Sequence, residues 1–263
     1  MKEEEAHEEG VPEGEIVYRS ARQDGEYTLA RPSRTLAWSG LAAGLSMGFS
    51  LAGEAILRAH LPEASWTPLV AKLGYALGFL IVILGRQELF TEQTLTAVLP
   101  WLSRDRRHGL ADVARVWAVI FAANIAGTAC FAAAAAWTPL LAADVREACS
   151  DLGNVALASS FATTLVRGIA AGFLIAIMVW MLPGAGAARV WIIVILTWLV
   201  GVLQLSHVIA GSAEGLFVVF RGEQGFGSYL GRFLVPTVIG NSVGGVALVA
   251  ALAHAQHAPD EST

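Results

Sequence analysis

The stretch GVLQLSHVIAGSAEGLF, residues 201–217, follows an apolar run, VWIIVILTWLV at 190–200, and then changes character. Gln204, Ser206 and His207 come close together, a Gly-Ser pair follows at Gly211 and Ser212, and Glu214 completes the polar set. A run apolar enough for lipid that carries an imidazole and a glycine break at mid-depth needs cover. Irregular backbone is tolerated there only where protein buries it or a water-filled cavity meets it. An ionisable side chain at that depth is a functional candidate by default.

The rest of the chain supports lipid as the solvent. Of its 263 residues, 55% are hydrophobic and only 15% charged, against about 25% charged in soluble domains, and the mean hydropathy is +0.58. A net charge of −5 without a basic cluster excludes nucleic acid as a partner. Much of the acidity lies in MKEEEAHEEGVPEGE at the start, which has neither the basic head nor the apolar core of a cleaved signal peptide. Residues 1–34 therefore read as a largely disordered acidic tail, 35–254 as a membrane domain and 255–263 as a second tail. Cys130 and Cys149 have no metal-ligand spacing and make a poor case for a disulfide.

A helix needs about 20 apolar residues to span the hydrocarbon. Six stretches qualify: Leu36–Ile56, Trp66–Leu84, Val116–Trp137, Phe161–Leu182, Val190–Leu205 with its continuation to Phe220, and Phe233–Ala253. Tryptophans at 38, 66, 117 and 191 open spans, and those at 137 and 180 close them, as an interfacial belt requires. Arg31 and Arg34 precede the first span, the second loop carries Arg104, Arg106 and Arg107, and the fourth carries Arg189. In contrast, Arg58 and Arg146 in the first and third loops are matched or outnumbered by acids. Arg221 and Arg232 in the fifth loop weaken the contrast. The bias places both termini in the cytoplasm.

The second span is interrupted too, by RQELFTEQT after LGYALGFLIVILG. Thr91 precedes Asn124 by 33 residues and His207 precedes Asn241 by 34, and each asparagine is followed three residues later by a glycine, Gly127 or Gly244. The chain thus reads as an all-α membrane protein of two three-span halves, with spans two and five broken. An odd number of spans per half inverts one half against the other, and paired interrupted segments are the best sequence pointer to a transport path.

These same residues carry a resemblance. RQDGE at 22–26, AGLSMG, GRQELFTEQTLTAVLP, MVWMLPGAGAA, SHVIAGSAE and IGNSVGG, with their spacing, resemble the formate/nitrite transporter family, in its YfdC-like branch, over nearly the whole chain. The resemblance implies a homopentamer in a bacterial inner membrane, each protomer having its own pore inside an aquaporin-like inverted repeat. It also implies passage of small monovalent anions or their conjugate acids, such as formate, nitrite, hydrosulfide, acetate or lactate. Carried over by motif, Leu89, Phe90 and Thr91 match the loop that breaks the second span, and His207 matches the central pore histidine. The chain departs from the family at three points: Glu92 and Gln93 replace the Gly-Asn that usually follows the threonine, an asparagine usual in the fourth span falls at Gly172, and a lysine falls near Ala156.

Imidazole has an ordinary pKa of about 6.5, near neutrality. In a narrow apolar pore it could donate an N–H to a passing anion, pass on a proton, or simply tie down the broken helix. Thr91 either lines the path or caps a half-helix, and Glu88 favours the positive end of that half-helix. Ser206, Arg167 and Lys72 are candidates for an anion vestibule, with Lys72 equally placed to snorkel. Glu54 has Lys72 and Arg167 as candidate partners, and Glu214 has a place at the mouth. The competing readings are a pore for water, glycerol or ammonia, and an intramembrane enzyme built on His207 and Glu214. The first lacks paired pore histidines and twin Asn-Pro-Ala motifs. The second lacks a nucleophile motif or metal cluster, and the glycine break argues against one helix face. No cofactor or metal is expected.

Overall fold

A computed structural model describes residues 13–102 and 108–257. The tail expectations for 1–12 and 258–263, and the loop arginines 104, 106 and 107, lie outside the described residues. Among those described there are helices and no strands. In chain order they are α1 (Glu13–Ala30), α2 (Ser33–His60), α3 (Thr67–Leu84), the short α4 (Phe90–Thr96) and α5 (Val98–Leu102), α6 (Leu110–Trp137) and α7 (Ala143–Ala158). There follow α8 (Phe161–Met181), α9 (Arg189–Val202), α10 (Val208–Phe220) and α11 (Val235–His257), the last entered through a π-helical turn at Tyr229–Leu234. Four of these helices, α2, α3, α6 and α8, are long and apolar enough to cross a membrane, and α9 and α10 are shorter apolar segments.

Two polar stretches are more ordered than their composition suggests. Residues 13–30, read from sequence as disordered tail, form α1, whose Tyr18, Ala21 and Leu29 are buried. Arg115 on α6 pins its end, donating from Nη2 to the Leu29 carbonyl at 2.6 Å and from Nη1 to the Arg31 carbonyl at 3.1 Å. The acidic segment after Trp137, read as a loop, is α7, which buries Val145, Cys149 and Leu152 against α10. In both, tertiary contacts supply order that local periodicity does not advertise.

The predicted spans two and five are each split in two by the same local device. At the end of α3, Arg86 takes a left-handed φ of 50°, and at the end of α9, Gln204 takes 52°. In each case the two following amides fold back: Arg86 N–H to Ile83 O and Gln87 N–H to Val82 O, Gln204 N–H to Gly201 O and Leu205 N–H to Val200 O. This is the Schellman ending of a helix, whose left-handed position is usually glycine. The chain then runs extended through Leu89 and His207 before α4 and α10 begin.

The glycine break expected at Gly211 is not there. α10 runs unbroken through Gly211 and Ser212, and the interruption lies before His207. Gly211 is small because the Phe233 ring presses on it, not because the backbone turns. Gly172 has a comparable reason. Any side chain there would collide with the backbone of Asn241, just as one at Gly44 would collide with that of Asn124. The position where the resemblance puts an asparagine is a close helix contact.

Candidate functional site

The two breaks are held by two asparagines in matching ways. Asn124 on α6 accepts the Phe90 N–H at 2.9 Å and donates to the carbonyls of Gly40 at 2.8 Å and Glu88 at 2.9 Å. Asn241 on α11 accepts the Val208 N–H at 2.9 Å and donates to the carbonyls of Gly168 and Ser206, both at 2.8 Å. Each buried amide therefore satisfies the backbone on both sides of a break and ties it to a neighbouring helix. The matching fixes a register: Phe90 corresponds to Val208, so His207 corresponds to Leu89. The spacing read from sequence had set Thr91 opposite His207. In the structure these two meet directly instead.

That meeting is the centre of the site. Thr91 Oγ1 and His207 Nε2 lie 2.8 Å apart, with 0% of Thr91 and 1% of His207 exposed. His207 is the N-cap of α10, its Nδ1 accepting the Ala210 N–H at 3.2 Å. Since Nδ1 accepts, the ring proton sits on Nε2 and is donated to Thr91. The threonine hydroxyl is thereby left with its own hydrogen to offer. Phe79 packs edge-on against the imidazole at 4.9 Å between centroids. Both ring nitrogens are thus engaged in a neutral ring.

Two cavities lie at opposite ends of α2 and α3, and His207 lines one of them. Near α1, a cavity of about 210 Å³ is lined by Arg31, Arg86, Glu88, Glu92, Gln93 and Arg189 among others. Glu88 is ion-paired with Arg31 and receives the Gln93 amide at 2.8 Å, so one of the residues departing from the family motif braces the break. Glu92 Oε1 is buried without a hydrogen-bond partner. On α1, before the first span, burial raises the Asp24 carboxyl above its ordinary pKa while Arg86 and Arg189 pull it down.

The opposite cavity, about 80 Å³, is lined by Arg58, Lys72, Arg167, Ser206, His207 and Glu214 among others. Lys72 is no snorkeler. Its Nζ sits 2.7 Å from a Glu54 oxygen, and Arg58 Nε lies 3.0 Å from the same carboxylate, which is 0% exposed. Glu54 thus pairs with Lys72 and Arg58 rather than Arg167. Arg167 donates to Ser159 at 3.2 Å, and among the described residues it has no carboxylate within ion-pair distance. Ala156 lines this cavity as well.

Of the residues singled out from sequence, Thr91 and His207 are brought together, Glu88 joins the α1-side cavity, and Lys72, Arg167, Ser206 and Glu214 join the other. Leu89, Phe90 and Thr91 line neither. The Phe90 ring packs against Trp117 and Phe121 at 5.7 and 5.1 Å, and Leu89 is buried in the core. Sequence reasoning used Arg31 and Arg58 only for orientation and Arg86 and Gln204 only to mark the breaks, and missed that all four line the cavities. Their signal was position: Arg86 and Gln204 stand immediately after an apolar run ends, where a helix would ordinarily take glycine.

Strained left-handed residues collect at functional sites, and these two line one cavity each. Replacing Gln204 by glycine relieves about 1–2 kcal/mol of backbone strain, less about 0.5–1 kcal/mol of chain entropy. The Gln204→Gly variant is expected to melt slightly higher than the parent in detergent while its transport changes. A lower melting temperature would mean that the glutamine side chain, not the turn, holds the break.

A family model described as formate/nitrite transporter matches residues 15–255. The inner membrane protein YfdC of Escherichia coli (strain K12) is 38% identical over 246 residues, covering 94% of this chain and 79% of that protein. Two solved structures share the fold at 18% identity. A chain described as an FNT family ion channel gives a TM-score of 0.77 over 90% of this chain and 96% of its own. A pentameric formate channel with formate bound gives 0.68 over 83% and 95%.

Proposed function

The chain belongs to the formate/nitrite transporter family, and on that premise we propose that it is an inner-membrane channel or transporter for small monovalent anions of weak acids, formate, nitrite and acetate among them. The proposed architecture is six spans in two inverted halves, assembled as a homopentamer with both termini cytoplasmic and one path per protomer. The matched asparagine clamps and paired helix endings support the two-half reading. The likeness to a pentameric channel supports the assembly.

One observation carries the transport reading: His207, hydrogen-bonded to the buried Thr91, lines the cavity at the Arg58 end of the bundle, and a second cavity lies at the Arg31 end. In the proposed path an anion enters the cavity of Arg58, Lys72 and Arg167. There Arg167 supplies the free positive charge that the family's lysine, replaced near Ala156, would otherwise bring. The anion then meets the waist at Thr91 and His207, where it must shed its water. An ionised carboxylate in a low-dielectric slot costs far more than its neutral acid. The substrate is therefore neutralised by a proton close to His207 before it passes. The waist contributes hydrogen-bond donors and the cavities contribute charge.

Reconstituted into liposomes, the protein is expected to carry formate, nitrite and acetate with accompanying proton movement, and to exclude chloride and nitrate, whose acids are too strong to be re-formed. Stopped-flow recording with an enclosed pH dye measures both. Glycerol swelling without formate flux would replace this reading with a neutral-solute pore.

A further inference from the structure

His207 cannot readily be the group that gives the proton. Its Nδ1 is occupied by the Ala210 N–H and its Nε2 by Thr91. A second ring proton would have to point at an amide hydrogen and break the cap of α10. The donor has to be another titratable group in the same cavity.

Because α10 continues through Gly211, His207, Gly211 and Glu214 recur at helical spacing and all three line the cavity of Arg167. The Glu214 carboxyl has no hydrogen-bond or ion-pair partner among the described residues. The charged and titratable groups around it come from every packed element. They are Glu54 and Arg58 on α2, Lys72 and Tyr75 on α3, Cys149 on α7, Arg167 on α8 and His207 at the head of its own helix. Glu54 is committed to Lys72 and Arg58. Glu214 is the carboxyl left over.

Resting on the transport reading above, we infer that Glu214 hands a proton to the anion in the cavity it shares with Arg167 and His207. In the loaded state the carboxyl carries its proton, so that Arg58, Lys72 and Arg167 outnumber the Glu54 carboxylate and hold the incoming anion. The O–H bond of Glu214 breaks and an O–H bond forms on the substrate oxygen, with no change of oxidation state. The Glu214 carboxylate then takes over as counter-charge to the cations. The neutral acid, released from their attraction, moves to the waist, and hydronium from the outer medium reprotonates Glu214. The step selects anions that are about as basic as a carboxylate.

The test is formate flux through the full-length protein in liposomes, compared with Glu214→Gln and Glu214→Asp across pH, with assembly checked by size-exclusion chromatography. In Glu214→Gln, flux at neutral pH is expected to fall about 100-fold, the scale of a positioned proton donor. It should converge on the parent as the medium is acidified and protonated formic acid becomes abundant. Glu214→Asp should keep most of the flux and the pH profile. If Glu214→Gln leaves flux unchanged, or lowers it by one factor at every pH, Glu214 is not the donor while the transport reading stands. A parent protein that carries no formate removes the reading and the donor together.

Discussion

Replacing Asn241 by alanine is expected to destabilise the folded protein by about 2 kcal/mol or more, because each buried polar group left unpaired costs about 1–3 kcal/mol. Two backbone groups lose their partner at once, the Val208 N–H and the Ser206 carbonyl, and the Gly168 carbonyl inside α8 loses its second donor. Water cannot easily replace the asparagine, which is 0% exposed. Asn124→Ala removes the equivalent three bonds, to Phe90, Gly40 and Glu88, and should cost a similar amount. An aspartate at either position is no remedy. It keeps the acceptor, loses both donations, and sets a carboxylate against two carbonyl oxygens.

The same helix provides an internal control. Thr237 on α11 is also 0% exposed, but its hydroxyl has no hydrogen-bond partner. Exchanging it for the isosteric valine removes a buried unsatisfied group and should leave the melting temperature unchanged or raised. Thermal unfolding of the three variants in detergent separates the alternatives. If Asn241→Ala melts as the parent does, the breaks are held by packing alone, and the argument from the paired clamps fails.

How much of this was legible beforehand depends on the range of the interaction. The membrane class, the interruptions before Thr91 and His207, and the two asparagines could be read because each leaves a local mark: apolar runs, polar residues inside them, and a short spacing. The register between halves could not. It is fixed by which amide each asparagine reaches, Phe90 or Val208, and that is a three-dimensional choice. Gly211 misled because glycine signals both a turn and a close contact, and the Phe233 ring that decides between them lies on another element. α1 was invisible for a related reason. Its partners are distant along the chain, Arg115 at its end and Trp180 against Tyr18. Arg86 and Gln204 hide in the same manner, since neither residue type announces a left-handed turn.

The waist itself makes the sharpest functional forecast. Thr91→Val preserves the shape of the side chain and removes only the hydroxyl. The loss is double: the His207 Nε2–H is left without an acceptor, and a passing substrate loses the O–H that the threonine has to offer. Removing one preorganised donor from a dry site typically costs about 100- to 1000-fold in rate, so formate flux should fall by that order while the protein still assembles. His207→Asn complements it. Asparagine is a good N-cap and can keep the Ala210 amide satisfied, but it is too short to reach Thr91 as the imidazole does. If the two side chains act through one hydrogen bond, the double variant should be little worse than either single one, a coupling that adding the separate losses would miss. The pH profile of the remaining flux should keep its parental shape in all three, because the imidazole takes up no proton in this scheme. Undiminished flux in Thr91→Val would place the path elsewhere in the bundle, and a pH profile flattened by His207→Asn alone would return the proton to the ring.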